Sequence, residues 1–144
     1  CPVDFTLATD HISKYAAQLA NHVHAKVVLV PALVQESKLR SLQTKAVKHE
    51  VTDRLGELHD LLASNYHIPC AVDEEPIAGN VYKKLSLLAD NYDMLMIGMK
   101  TSRNGATENS AHLDLLKLIH ETLVPIYFVP EKFEFKPISQ ITYA

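Results

Sequence analysis

One polar loop contains the residue types that bind an anion. Gly98 ends an apolar run, and the loop after it contains two hydroxyls, a cation, an amide and a second glycine: Thr101, Ser102, Arg103, Asn104 and Gly105. Glycine lets backbone N–H groups approach phosphate oxygens, and the N-terminus of a following helix favours negative charge. The pattern indicates an anion or nucleotide site, and a solvated loop around Arg103 is the other reading.

A second candidate residue lies near the start of the chain. Asp4 separates a short apolar stretch from a helical pattern. Its carboxylate is suited to holding a ligand at the end of a strand. An Asp at such a junction also accepts hydrogen bonds from the backbone at the start of a helix. Both interpretations of Asp4 stay open on the sequence alone.

The other reactive residue types form no catalytic or metal-binding pattern. None of the eight histidines makes an i, i+4 pair with another, and Cys1 and Cys70 are far apart with no C-x-x-C spacing. Ser110 and His112 lack a Gly-x-Ser-x-Gly context. We therefore predict no catalytic residue, no metal site and no enzymatic activity.

Composition limits the class of protein. The 144 residues are 47% hydrophobic, which suits one domain with one core. The net charge is -3, and interspersed acidic and basic residues provide no basic face for a nucleic acid. No apolar stretch approaches the roughly 20 residues that cross a bilayer. We expect a cytoplasmic protein without nucleic-acid or membrane partners.

Strand and helix patterns alternate along the chain. Apolar residues at helical spacing predict helices over residues 10–24, 41–66, 76–91 and 113–123. Continuous apolar runs predict strands over residues 27–33, 68–72, 94–98 and 125–129, after an opening segment that looks like the end of a first strand. Strands that are apolar on both faces predict a parallel sheet covered by helices on both sides.

The pattern also predicts the domain boundary. Residues 1–130 hold all of these segments and are interpreted as one domain whose first strand is truncated. Residues 131–144 are interpreted as a charged, proline-containing connector followed by the start of another strand. We therefore expect the first domain of a tandem protein.

Three stretches together resemble the universal stress protein family and cover nearly all of residues 1–130. They are Pro2 to Phe5 with the segment Leu19 to Val30, then Tyr92 to Gly98, and Val124 to Pro130. The resemblance implies a three-layer α/β sandwich with a five-stranded parallel sheet in the flavodoxin-like order 3-2-1-4-5. It also implies a ligand crevice beyond strands one and four, where Asp4 would face the loop after Gly98.

The nucleotide motif of that family is degraded here. In nucleotide-binding members an Asp at the end of strand one contacts adenine, and a G-x2-G-x9-G-S/T loop wraps the ribose and phosphates. In this chain Thr101 stands near the first loop glycine, Gly105 matches the second only loosely, and Ala111 and His112 stand near the final pair. Glu108 would repel phosphate. We therefore predict no bound cofactor, with ATP or AMP binding lost or weak.

The same resemblance places the last strand at the edge of the sheet. Its candidate pairing residues are Ile126, Tyr127, Phe128 and Val129. An apolar edge strand can pair with another copy, and family members commonly dimerise through it. We expect a stress-response module that acts by dimerising, with a second copy or a tandem partner domain, and by binding partners. The alternative is an AMP- or ATP-binding sensor of the same family.

Overall fold

The computed structural model describes residues 1–3, 7–33, 45–73, 77–78, 81–99, 108–130 and 133–137. The elements, in chain order, are β1 (Pro2–Val3), α1 (Leu7–Val23), β2 (Val27–Leu33), α2 (Lys45–Tyr66), β3 (Cys70–Val72), β4 (Ile77–Ala78), α3 (Val81–Ala89), β5 (Leu95–Met99), α4 (Glu108–Glu121) and β6 (Ile126–Pro130). The predicted alternation of strands and helices is confirmed, with most boundaries within a few residues.

One predicted helix begins later than the sequence indicated. We expected a helix to start at Pro76, but residues 77–78 form the short strand β4 and α3 begins at Val81. Ile77 lies opposite Ala32 and Ala78 lies opposite Leu33 in a parallel ladder with β2. Residues whose backbone is extended for pairing with β2 cannot also form the first turn of a helix. This tertiary pairing overrides the preference of proline for the first helical position.

The strands are parallel and form two hydrogen-bonded groups. In the first group β2 lies between β1 and β3, with Pro2 opposite Val30 and Val27 opposite Cys70. In the second group β5 pairs with β6, and Leu95 lies opposite Ile126. The predicted α/β class is confirmed, and the order 3-2-1-4-5 is seen in these two parts. Within the described residues no hydrogen-bonded pairing joins β1 to β5.

Two cores lie on opposite faces of the sheet. Leu29 packs in a cluster with residues of α1 and α2, such as Leu62, whereas its neighbour Val30 packs in a cluster with Leu85 of α3 and Leu118 of α4. Successive strand residues point to opposite faces, so this alternation shows that both faces are covered. The chain is a three-layer sandwich with α1 and α2 on one side and α3 and α4 on the other.

Residues 133–137, called the tail below, pack back onto α1. The rings of Phe133 and Phe135 lie 6.3 Å and 5.3 Å from the ring of Tyr15, and the ring of Phe135 lies 6.3 Å from that of His22. The Tyr15 hydroxyl shares a 2.9 Å hydrogen bond with the hydroxyl of Tyr127 on β6. The tail therefore adds aromatic surface to the α1 side of the sheet. The predicted connector and following strand otherwise lie outside the described residues.

The hydroxyl of Tyr15 is buried in this aromatic group. Burial, followed by the hydrogen bond to Tyr127, raises the pKa of Tyr15 to about 12. The neutral phenol is therefore the form that the folded chain favours. Only 3% of Tyr15 is exposed, so its ring and hydroxyl both serve the packing between α1, β6 and the tail.

We predict that Phe135→Ala lowers the free energy of unfolding by about 1–2 kcal/mol, because the half-buried ring leaves its contacts with Tyr15 and His22. Phe133→Ala is the matched control, since Phe133 is 49% exposed and should cost less. Urea denaturation followed by circular dichroism measures both values. No loss at Phe135 would show that the tail does not belong to the folded domain, and equal losses would contradict the greater burial of Phe135.

Candidate functional site

The carboxyl ends of β1 and β5 mark the predicted ligand crevice. β1 ends at the fully buried Val3, α1 follows, and β5 ends with Gly98 and Met99. Of the predicted nucleotide-binding residues, Gly98 is described. The others lie outside the described residues and stay predictions: Asp4, Thr101, Ser102, Arg103, Asn104 and Gly105.

Gly98 has a structural role that its place in a loop motif did not suggest. A Cβ atom added at this position would overlap Cδ1 of Ile12 and would lie 2.7 Å from Cγ1 of the same side chain. Ile12 belongs to the core and is 8% exposed, so it has little room to move. The absence of a side chain at Gly98 lets α1 pack directly against the end of β5.

The first half of α1 contains polar side chains that sequence reasoning missed. Thr9 and Ser13 are buried, with 3% and 1% of their surface exposed. Within the described residues the Ser13 hydroxyl oxygen and Nε2 of His11 are buried without a hydrogen-bond partner. A buried hydroxyl without a partner costs about 1–3 kcal/mol. The sequence did contain a signal for this burial. Thr9 and Ser13 are four residues apart, so they lie on one face of the helix, which they share with small residues.

The start of α4 bears on the predicted phosphate site. The helix begins at Glu108, directly after the polar loop. A carboxylate in the first turn of a helix stabilises that helix by offsetting the positive end of its dipole. The same negative charge opposes a phosphate at this helix N-terminus. That Glu108 disfavours nucleotide phosphates stays a prediction.

The predicted edge strand is β6, and within the described residues it pairs with β5 alone. The N–H of Leu95 donates to the carbonyl of Pro125, which sets the register of this ladder. In a parallel ladder alternate residues point their N–H and C=O groups to opposite sides. The backbone groups of Ile126 and Phe128 therefore point away from β5, to the outer edge, where no described strand pairs with them.

The side chains of β6 are already used inside the domain. Tyr127 and Val129 pack with the α1 side core, and Ile126 and Phe128 pack with the α3 and α4 side core. Ile126, Tyr127 and Phe128 are half-buried, and Val129 is fully buried. What this edge offers to a partner is mainly its backbone hydrogen-bonding groups.

Three histidines, His24, His59 and His67, lie in positions that the fold defines. His24 and His67 follow the ends of α1 and α2 with positive φ angles of 56° and 52°, the left-handed conformation common just after a helix. The ring nitrogens of His59 lie 2.9 Å from a carboxylate oxygen of Asp60 and 3.2 Å from the carbonyl of Cys70. Among the described side chains no group of three potential ligands surrounds a metal position.

No helix within the described ranges is long and apolar enough to span a bilayer.

Comparison with known proteins identifies the fold. No protein-family model matches the chain, and no curated protein matches it in sequence. Among solved structures, it is similar to a universal stress protein in complex with cAMP, with 17% identity, a TM-score of 0.57, and 91% of this chain and 94% of that chain covered. It is also similar to the hypothetical protein PH0823, with 13% identity, a TM-score of 0.53, and 93% and 95% coverage. The chain therefore has the fold of a universal stress protein.

We predict opposite effects when an alanine replaces each of two glycines. Gly98→Ala should lower the free energy of unfolding by about 1–3 kcal/mol, because Ile12 must move out of a packed core. Gly56→Ala should raise it by about 0.5–1 kcal/mol, since Gly56 lies inside α2 with open space at its Cβ position. Urea denaturation measures both. A neutral Gly98→Ala would show that the close packing of α1 on β5 is not required.

Proposed function

We propose that this chain, which has the fold of a universal stress protein, is a cytoplasmic stress-response module of that family. It acts by pairing through β6, with a second copy or with a tandem partner domain, and by binding partner proteins. It carries out no catalytic step of its own. ATP and AMP bind weakly or not at all.

The observation that carries the proposal is the outer edge of β6, with which no strand of the described residues pairs. The strand presents the backbone groups of Ile126 and Phe128 to that edge, while its side chains are packed in the two cores. A second β6 can add hydrogen bonds here without any repacking of the domain. An apolar edge strand left open is also an aggregation risk, which a cognate partner removes.

The weak nucleotide site in the proposal rests on the residues of the loop. Thr101, Ala111 and His112 stand near positions where the family motif has small residues, and side chains there crowd a phosphate. Glu108 at the start of α4 adds repulsion. The close contact with Ile12 also explains why residue 98 is a glycine, without any bound ligand.

The alternative is a nucleotide sensor. Two observations support it: Asp4 is present where nucleotide-binding members have an Asp, and one solved structure with this fold is a universal stress protein in complex with cAMP. In this alternative the loop after Gly98 would bind the nucleotide through its remaining polar groups, Ser102 and Arg103 among them. Binding measurements separate the two proposals.

We predict that Ile126→Pro abolishes the dimer, because proline removes the N–H that points to the outer edge of the sheet. Ile126→Ala is the matched control: it loses the same side-chain packing but keeps that N–H, so it should stay dimeric. Light scattering after size exclusion compares each mass with the 16.1 kDa of one chain. A dimeric Ile126→Pro, or a monomeric unsubstituted chain at all concentrations, would contradict pairing of two copies through β6.

We predict that calorimetric titration with ATP, AMP and cAMP, with and without magnesium, detects no binding tighter than about 100 μM. Thr101, Ala111 and His112 are expected to crowd the phosphates. Micromolar binding that Asp4→Ala weakens at least tenfold would instead establish the sensor. Asp90→Ala is the control, because Asp90 is exposed just after α3, near the amino ends of the strands. If Asp4→Ala and Asp90→Ala weakened nucleotide binding equally, the nucleotide would not be bound at the predicted crevice.

A further inference from the structure

Helix α4 exposes large apolar side chains along one side. Leu116 and Ile119 on α4, and Leu123 just after its end, are 54%, 45% and 94% exposed. We call these three residues the α4 stripe. They are three and four residues apart, so they lie next to one another on the helix surface. The sheet-facing side of α4 is different, because Leu118 is 1% exposed and packs in a core with residues of β5 and β6.

The α4 stripe lies on the flank of α4 that faces the outer edge of β6. A right-handed crossover from β5 to β6 fixes the side of β5 on which β6 lies and the direction in which α4 runs between them. Each residue of an α-helix is turned by about 100° from the one before it. Starting from Leu118, which faces the sheet, this turn carries Ile119 to the flank on the β6 side, away from α3. The stripe and the β6 edge therefore form one continuous surface.

The same helical geometry separates the α4 stripe from charged residues of the helix. Lys117 comes one residue before Leu118 and Glu121 three residues after it, so both turn toward the other flank, on the side of α3. A surface that meets its own copy across a two-fold axis brings each charge close to an identical charge, which costs free energy. The stripe contains no charged residue. It is therefore suited to contact with a second copy of itself.

Pairing of two β6 strands brings two such stripes together. A two-fold axis between identical edge strands pairs them antiparallel and places both copies of α4 on the same face of the joined sheet. Helix α4 lies over β5 and β6, because Leu115 and Leu118 share a core with residues of both strands. Neighbouring strands are about 4.8 Å apart, so each α4 axis lies about one strand spacing from the two-fold axis. The two helices are then about 10 Å apart, a distance at which helices pack directly.

Strand β6 by itself provides only a small interface. It has five residues, and the side chains of Ile126 to Val129 are packed in the two cores of the domain. A stable interface buries about 800 Å² on each partner and has an apolar centre. The α4 stripe adds apolar area directly beside the hydrogen-bonding edge. Leu123 is 94% exposed in one chain, so it loses the most water-exposed apolar area when a partner covers it.

We propose that the α4 stripe is the apolar centre of an interface with a second copy of this chain, in which α4 packs antiparallel against α4 of the other copy. This inference rests on the proposed pairing through β6 and narrows it, because it selects a second copy as the partner. The backbone hydrogen bonds of β6 align the two copies. Burial of the two stripes against each other is the larger source of affinity.

Sedimentation equilibrium of the 144-residue chain and three variants tests this interface. Ile119→Asp should weaken the dimer about a hundredfold or more, because two like charges would meet where water is excluded. Leu123→Asp should have the same effect, and the high exposure of Leu123 means that this variant keeps the fold of one chain. Leu87→Asp is the matched control. Leu87 is 73% exposed on α3, two residues from the buried Leu85, and its replacement should change the dissociation constant by less than about threefold.

The outcomes distinguish failure of the helix contact from failure of the strand pairing. If Leu123→Asp dimerised as tightly as the unsubstituted chain while Ile126→Pro was monomeric, the helix contact would be overturned and the pairing through β6 would stand. Equal weakening by Leu87→Asp would also overturn the helix contact, since added charge alone would then explain the loss. An unsubstituted chain that is monomeric at all concentrations would overturn both the helix contact and the pairing of two copies.

Discussion

The first helix joins two groups of strands that share no ladder within the described residues. Ile12 packs against the end of β5 at Gly98, and the hydroxyl of Tyr15 bonds to Tyr127 on β6. Other buried residues of α1 also pack with Leu29 of β2. Side-chain packing under α1 thus holds the two strand groups in one sheet layer, together with the cluster on the other face that joins Val30 to Leu95. The fit at Gly98 and Tyr15 is therefore central to the α1 side of the domain.

The open features of the domain follow from this arrangement. At the outer edge, β6 has its side chains divided between the two cores and its backbone directed outward. These outward backbone groups offer hydrogen bonds to an extended chain. A parallel sheet covered by helices on both faces leaves its ends and edges as the natural places for such additions.

Gly98 belongs both to the predicted ligand site and to the packing of α1 on β5. The residue lies at the carboxyl end of β5, where open α/β sheets bind ligands, and its lack of a side chain already serves the approach of α1. A glycine retained for packing is weak support for nucleotide binding. The buried hydroxyl of Ser13 nearby in α1 is a second polar feature of this region that the loop motif did not indicate.

The sequence by itself determined the element types and the two-sided sheet. The run Val27–Leu33 is apolar at successive positions, and the structure sends Leu29 and Val30 to opposite cores, as such a run requires. The spacing of apolar residues carries this information because helices and strands each direct their side chains in a regular, characteristic way. Only the tertiary structure decided that residues 77–78 pair with β2, that Phe135 packs on Tyr15, and that Gly98 must admit Ile12. These contacts join residues distant in the chain, and their geometry depends on how strands and helices pack rather than on the pattern within any one of them.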